Sequence, residues 1–139
     1  MQRLEPRPDN ACFGCGGANP RGLQLTFTLD HARRRVLGEF NFGPELQGSQ
    51  GMLHGGVIAL LLDEAMGKLS RFSDVRAVTA ELQVEYLRPI PAGLAITVEA
   101  EEVSREGRNL HTRAEIRRRD GDPRPLARGR ARFVALAPR

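Results

Sequence analysis

The 139-residue sequence predicts an α+β fold in which an antiparallel β-sheet wraps one long central α-helix, and three observations carry that prediction. Over residues 57–69 the apolar side chains run almost all the way round a helical wheel, the pattern of a helix enclosed by the protein rather than laid on its surface. Two runs before this helix and four after it alternate apolar and polar residues with period two. The connections between runs are short and carry Gly, Pro, Asn or Asp, which suits antiparallel neighbours.

In chain order, residues 1–10 hold prolines and charges without periodicity and are expected to be a flexible tail, with 11–139 a single domain. Cys12-Phe13-Gly14-Cys15-Gly16 follows. Its two-residue spacing suits zinc or redox work, but a structural zinc site wants four ligands, no second cysteine pair exists, and His31, His54 and His111 are scattered. The expectation is a structural turn with reduced thiols and no metal, with a metal site or a disulfide as the alternatives. Asn19-Pro20-Arg21-Gly22 is turn chemistry, after which Leu23, Leu25, Phe27 and Leu29 alternate as a half-buried strand. A charged turn over 30–35 leads to its hairpin partner at 36–42, and the Gly and Pro content of 43–50 excludes regular structure there.

Beyond the helix, strands are expected at 78–86, 94–104, 109–119 and 126–136. In the first, Val78, Ala80, Leu82, Val84 and Tyr86 oppose Thr79, Glu81, Gln83 and Glu85. In the last two, Arg113, Glu115 and Arg117 share one parity, as do Arg128, Arg130 and Arg132. A solvated sheet face with cross-strand ion pairs accounts for most of that arginine.

Composition narrows the partners. The longest unbroken apolar run, 57–62, is far too short for a membrane span, and the opening residues lack an apolar secretory core, so the cytoplasm is the expected location. The formal charge is +4 and Lys68 is the single lysine. Nucleic acid is nevertheless excluded as the expected partner, since aromatics are 5%, tryptophan is absent and no groove-reading or base-stacking motif is present.

Two acids interrupt the apolar helix. As sequence neighbours, Asp63 and Glu64 point about 100° apart and need separate explanations. Glu64 precedes Lys68 by one turn, a favourable ion-pair order. Asp63 has Ala59, Leu60, Met66 and Gly67 three and four residues away, so nothing local compensates it. Such a carboxylate is either satisfied from a distance or kept for chemistry. The turn before the helix favours chemistry. Gly51, Gly55 and Gly56 allow close backbone approach, and helix N-terminal N–H groups point at developing negative charge, the plan of an oxyanion hole.

His54-Gly55-Gly56 followed by Leu61-Leu62-Asp63-Glu64-Ala65 resembles the His-Gly-Gly motif and acidic helix position of hotdog-fold acyl-CoA thioesterases of the phenylacetate-pathway type. Cys12 to Gly16, Asn19 to Leu23, Val78-Thr79-Ala80-Glu81-Leu82 and Tyr86-Leu87-Arg88-Pro89 extend the resemblance over nearly the whole chain. It implies hydrolysis of an acyl-CoA to a free acid and CoA, with Asp63 as general base or nucleophile. It further implies that the Gly55-Gly56 helix start, the Gly56 N–H foremost with its neighbours, holds the thioester oxygen, that His54 braces the turn, and that Thr79 orients the attacking water. Strict alternation puts Thr79 on the polar parity, so reaching the site needs a bulge or a neighbouring subunit. Some relatives carry Asn where this chain has Gly48, with Gln47 or Gln50 available instead. Arg105 and Arg108, then Arg88, are the candidates for the CoA phosphates, and Leu53, Val57, Leu61 and Phe72 for the acyl pocket. No separate cofactor is implied, CoA being part of the substrate, and a homodimer or homotetramer is expected. The alternative is a non-catalytic acyl-CoA or acyl-carrier binding module.

Overall fold

The computed structural model describes residues 1–138. It contains β1 (Gln2–Leu4), β2 (Phe27–Asp30), β3 (Arg35–Phe40), α1 (Gly55–Gly67), β4 (Val75–Tyr86), β5 (Ile96–Glu106), β6 (Asn109–Arg118) and β7 (Ala127–Pro138). Short 3-10 helical turns lie at Pro44–Leu46, inside the linker expected to be irregular, and at Lys68–Ser73, directly after α1. The strands form one sheet in the order β1-β2-β3-β5-β6-β7-β4, every neighbouring pair antiparallel.

The enclosed-helix pattern has the expected cause. Along α1 the side chains of Ile58, Leu61, Leu62, Ala65 and Met66 are buried, and Gly56 alone is exposed. They pack on Val36, Ile96, Val98, Leu110, Ile116 and Phe133 from the sheet. At Gly129 on β7 the sheet backbone lies close against the helix. A Cβ there would stand 3.1 Å from Met66 Cε and 3.3 Å from Leu62 Cβ, tighter than ordinary packing allows. Removing a fully buried side chain such as Leu62 costs about 2–5 kcal/mol, so this helix is a main store of stability.

Two segments depart from expectation. Residues 1–10 are not a flexible tail, because Gln2–Leu4 pairs with β2 and Leu4 packs on the core. Three residues are too few to show a period, while the edge of β2 supplies unpaired backbone groups that capture them. The strand expected from residue 23 begins only at Phe27. Gln24 takes φ +50, and the N–H groups of Leu23 and Leu25 donate to Phe13 and Gly14 rather than to a sheet neighbour.

The alternation in β4 breaks. Thr79 stands opposite Phe133 while Glu81 stands opposite Arg132, so Ala80 is an extra residue, a bulge. Past it, Leu82, Val84 and Tyr86 stand opposite Ala131, Gly129 and Ala127 and share the helix side with Thr79. The outer face carries the expected ion pairs: Arg35 with Glu99 at 3.2 Å and Glu101 at 2.7 Å, Arg128 with Glu115 at 3.5 Å, and Arg132 with Glu81 at 2.7 Å. Such pairs are worth at most about 1 kcal/mol each, so they set solubility and register more than stability. No helix among the described residues is long and apolar enough to cross a membrane.

Candidate active site

His54 is the N-cap of α1, with extended backbone, and its Nδ1 accepts the Gly56 N–H at 2.9 Å. The neutral ring therefore carries its proton on Nε2. The contact braces the turn and commits the Gly56 N–H to the cap. The Gly55 N–H has no acceptor among the described residues and is the donor left at the helix start. Gly55 is held from its other side, because the Tyr86 hydroxyl donates to its carbonyl at 2.7 Å. Sequence reading missed Tyr86, which lies 31 residues from Gly55 and offered only its place in a strand motif.

The turn feeding the helix is fixed by the Gly48 N–H on the Met52 carbonyl at 2.7 Å and the His54 N–H on the Leu46 carbonyl at 3.0 Å. Gln50 and Gly51 take φ +57 and +76 within it. Position 48 does abut the site, since a Cβ on Gly48 would lie 3.3 Å from His54 Cα. Gln50 is exposed, whereas Leu53 is core, 6% exposed with its N–H on the Ile90 carbonyl.

Two turns further along α1, Asp63 is half-buried and accepts the Thr79 hydroxyl on Oδ1 at 2.7 Å. Burial pushes its pKa up, the Thr79 hydrogen bond opposes that, and the neighbouring Glu64 charge adds to the rise. Both residues open into a cavity of about 600 Å³ between the N-terminal arm, α1 and β4, which Cys12, Cys15 and Lys68 also line. The expected acyl-pocket residues Leu53, Val57, Leu61 and Phe72 do not line it. Leu61 is core, and Phe72 packs edge-on against His31 under the Arg34 guanidinium.

The three candidate arginines are not brought together. Arg88 follows β4 at the Gly55 end and lies 4.0 Å from Asp122. Arg105 and exposed Arg108 flank the β5–β6 turn at the opposite end, where Arg105 bonds Glu102 at 2.9 Å and Ser73 Oγ at 2.8 Å. Nor does one chain unite the helix start with the acid. Eight residues separate Gly55 from Asp63, about 12 Å along the axis, too far for both to touch one carbonyl group.

Glu64 turns away from Asp63 toward the N-terminal arm. Its Oε2 meets Lys68 Nζ at 3.6 Å, the expected pair, and its Oε1 lies 3.7 Å from Cys12 Sγ. Cys12 and Cys15 are free thiols, and burial pushes Cys15 up to about 11.

The sequence model of the thioesterase superfamily matches residues 50–123, more than half of the chain. This chain belongs to the thioesterase superfamily. Among the relatives of this superfamily member, acyl-coenzyme A thioesterase THEM4 of Xenopus laevis is 32% identical over 117 residues, covering 84% of this chain and 52% of the relative. The chain thus spans about half the length of the curated relatives it matches. A solved thioesterase superfamily protein, RHA08564, superposes with TM-score 0.73 at 29% identity over 83% of this chain and 57% of its own. The protein smu.793 from Streptococcus mutans UA159, solved bound to acetyl CoA, gives 0.70 at 18% identity over 76% and 83%, a likeness of fold alone. With the sheet order above, these structures establish the hotdog fold.

Proposed function

We propose that this protein is an acyl-CoA thioesterase, hydrolysing a CoA thioester to a free acid and CoA with Asp63 as the catalytic carboxylate. The observation that carries the reading is a half-buried carboxylate with raised basicity, aimed by Thr79 into an open cavity and paired with no cation among the described residues. The acyl-CoA thioesterase names of its relatives support it. As general base, Asp63 takes a proton from water attacking the carbonyl carbon, and the tetrahedral intermediate expels the CoA thiolate, which is reprotonated. As nucleophile, Asp63 attacks that carbon itself, releases the thiolate and forms a mixed anhydride that water hydrolyses. Neither route calls for a cofactor beyond the substrate's own CoA.

The 12 Å between Gly55 and Asp63 supports a site shared by two copies. β4 is a sheet edge whose Val78, Leu82 and Tyr86 are 48%, 38% and 55% exposed, an open pairing surface. Antiparallel pairing of two β4 strands about the middle, near Leu82 and Gln83, sets Thr79 of one copy beside Tyr86 of the other. Thr79 marks the position of Asp63 and Tyr86 that of Gly55. One copy's acid then faces the other's helix start, where the Gly55 N–H receives the thioester oxygen as it gains charge.

The test is thiol release from short aliphatic, long aliphatic and aryl CoA thioesters by the native chain, Asp63→Ala and Asp63→Asn. The native protein turns over at least one of them, and both variants lose ~10²-fold or more while staying folded. Binding without cleavage by the native protein would instead establish an acyl-CoA sensor. Full activity in the variants would remove Asp63 from the mechanism.

A further inference from the structure

Sequence counting stops at two metal ligands in the Cys12–Cys15 turn, because the third arrives from a helix 52 residues away. We infer that Cys12, Cys15 and Glu64 form a binding site for a thiophilic divalent cation, Zn²⁺ foremost. The two Sγ atoms and a Glu64 oxygen all lie within 4.8 Å of one another. A tetrahedral zinc with Zn–S of about 2.3 Å and Zn–O of about 2.1 Å sets sulfur and oxygen about 3.6 Å apart. Cys12 Sγ and Glu64 Oε1 stand at 3.7 Å, so that edge of the tetrahedron exists before any ion enters.

The turn is built around the carboxylate. A Cβ on Gly14 would come within 2.5 Å of Glu64 Oε1, and one on Gly16 within 2.2 Å of the Asn10 carbonyl oxygen. The Gly16 N–H closes the turn on the Cys12 carbonyl, and the Cys12 N–H is anchored on Asn10 Oδ1, each at 2.9 Å. Two thiolates and a carboxylate around a dication leave one negative charge, and Lys68, 3.6 Å from the other Glu64 oxygen, balances it. Binding releases the two thiol protons to solvent. Both cysteines are part-exposed and border the 600 Å³ cavity, so a water completes the coordination. Thiolates favour Zn²⁺ over Mg²⁺ or Ca²⁺. The bound ion would clamp the N-terminal arm to α1 one residue from Asp63, whatever chemistry Asp63 performs.

The test uses the full chain, reduced and stripped of metal, titrated with Zn²⁺ against a chromophoric chelator and with Co²⁺ as a spectroscopic probe. One Zn²⁺ binds per chain, raises the melting temperature, and is removed by chelation with reversal of that rise. Co²⁺ shows thiolate charge-transfer absorption that Cys12→Ser and Cys15→Ser each weaken. Glu64→Gln lowers Zn²⁺ affinity by ~10-fold or more, judged on variants whose circular dichroism matches the native chain. The inference is overturned if the native chain binds no Zn²⁺, if the cysteine variants bind as well as it does, if Glu64→Gln leaves affinity unchanged, or if chain isolated without oxygen carries a Cys12–Cys15 disulfide. None of these readings involves thioester hydrolysis.

Discussion

Thr79 reaches Asp63, Oγ1 to Oδ1 at 2.7 Å, because β4 holds one residue more than β7 at Ala80. Without that bulge the hydroxyl would point to the outer face beside Glu81, and half-buried Asp63 would lose that side-chain donor. A hydrogen bond to a carboxylate is worth about 1.5–3 kcal/mol. Thr79→Val is therefore expected to lower kcat for thioester hydrolysis ~10–10²-fold, with Thr79→Ser restoring most of it, as read in steady-state thiol release. Unchanged kcat in Thr79→Val would show that the contact only packs the strand.

His54 caps the helix through Nδ1, which accepts the Gly56 N–H. His54→Ala should cost about 1 kcal/mol in urea unfolding, and His54→Asn, whose side-chain oxygen can accept the same N–H, should recover it. If His54→Asn recovers stability but loses all hydrolysis, the ring has a chemical role that the cap does not explain.

The open edge of β4 predicts its own disruption. A charge at Leu82, which is 38% exposed on the helix side of that edge, should block pairing between copies. The native chain is expected to sediment as a dimer and Leu82→Lys as a monomer that loses hydrolysis in parallel. A fully active monomer would refute the shared site.

Gly16 has backbone, not a flexible side chain, in the space a Cβ would fill. Gly16→Ala should destabilise the metal-free protein by about 1–3 kcal/mol in calorimetry or urea titration. No change would mean that the arm over residues 5–25 moves freely enough to absorb the methyl group.

What was legible in the sequence was whatever repeats locally. The helix showed because its apolar residues surround the axis, the long strands because they alternate, and the Glu64–Lys68 pair because it spans one turn. Asp63 stood out for its lack of a local partner, and the glycine turn for its chemistry. The features that read poorly are those settled by packing across the chain. Alternation put Thr79 on the wrong face, since a bulge in β4 leaves no mark in its residue types. Tyr86 on Gly55 and Cys12 on Glu64 join positions 31 and 52 residues apart, which no periodicity reports. Which N–H of the helix start stays open was not legible, because several are on offer and only the rotamer of His54 decides which one is consumed.

The sheet order also sets a timetable for synthesis. β4 follows α1 directly in sequence but finds its sheet neighbour only in β7, at the far end of the described chain. At ~5–20 residues per second, the roughly 70 residues after α1 take roughly 4–14 s to emerge. Through that interval the most apolar segment of the protein leaves the ribosome with β2 and β3 made but without β4–β7, which supply most of its cover. The nascent chain is therefore expected to expose apolar surface for seconds, and mutations that slow β7 docking should reduce yield in the cell before they alter the melting point of the finished protein.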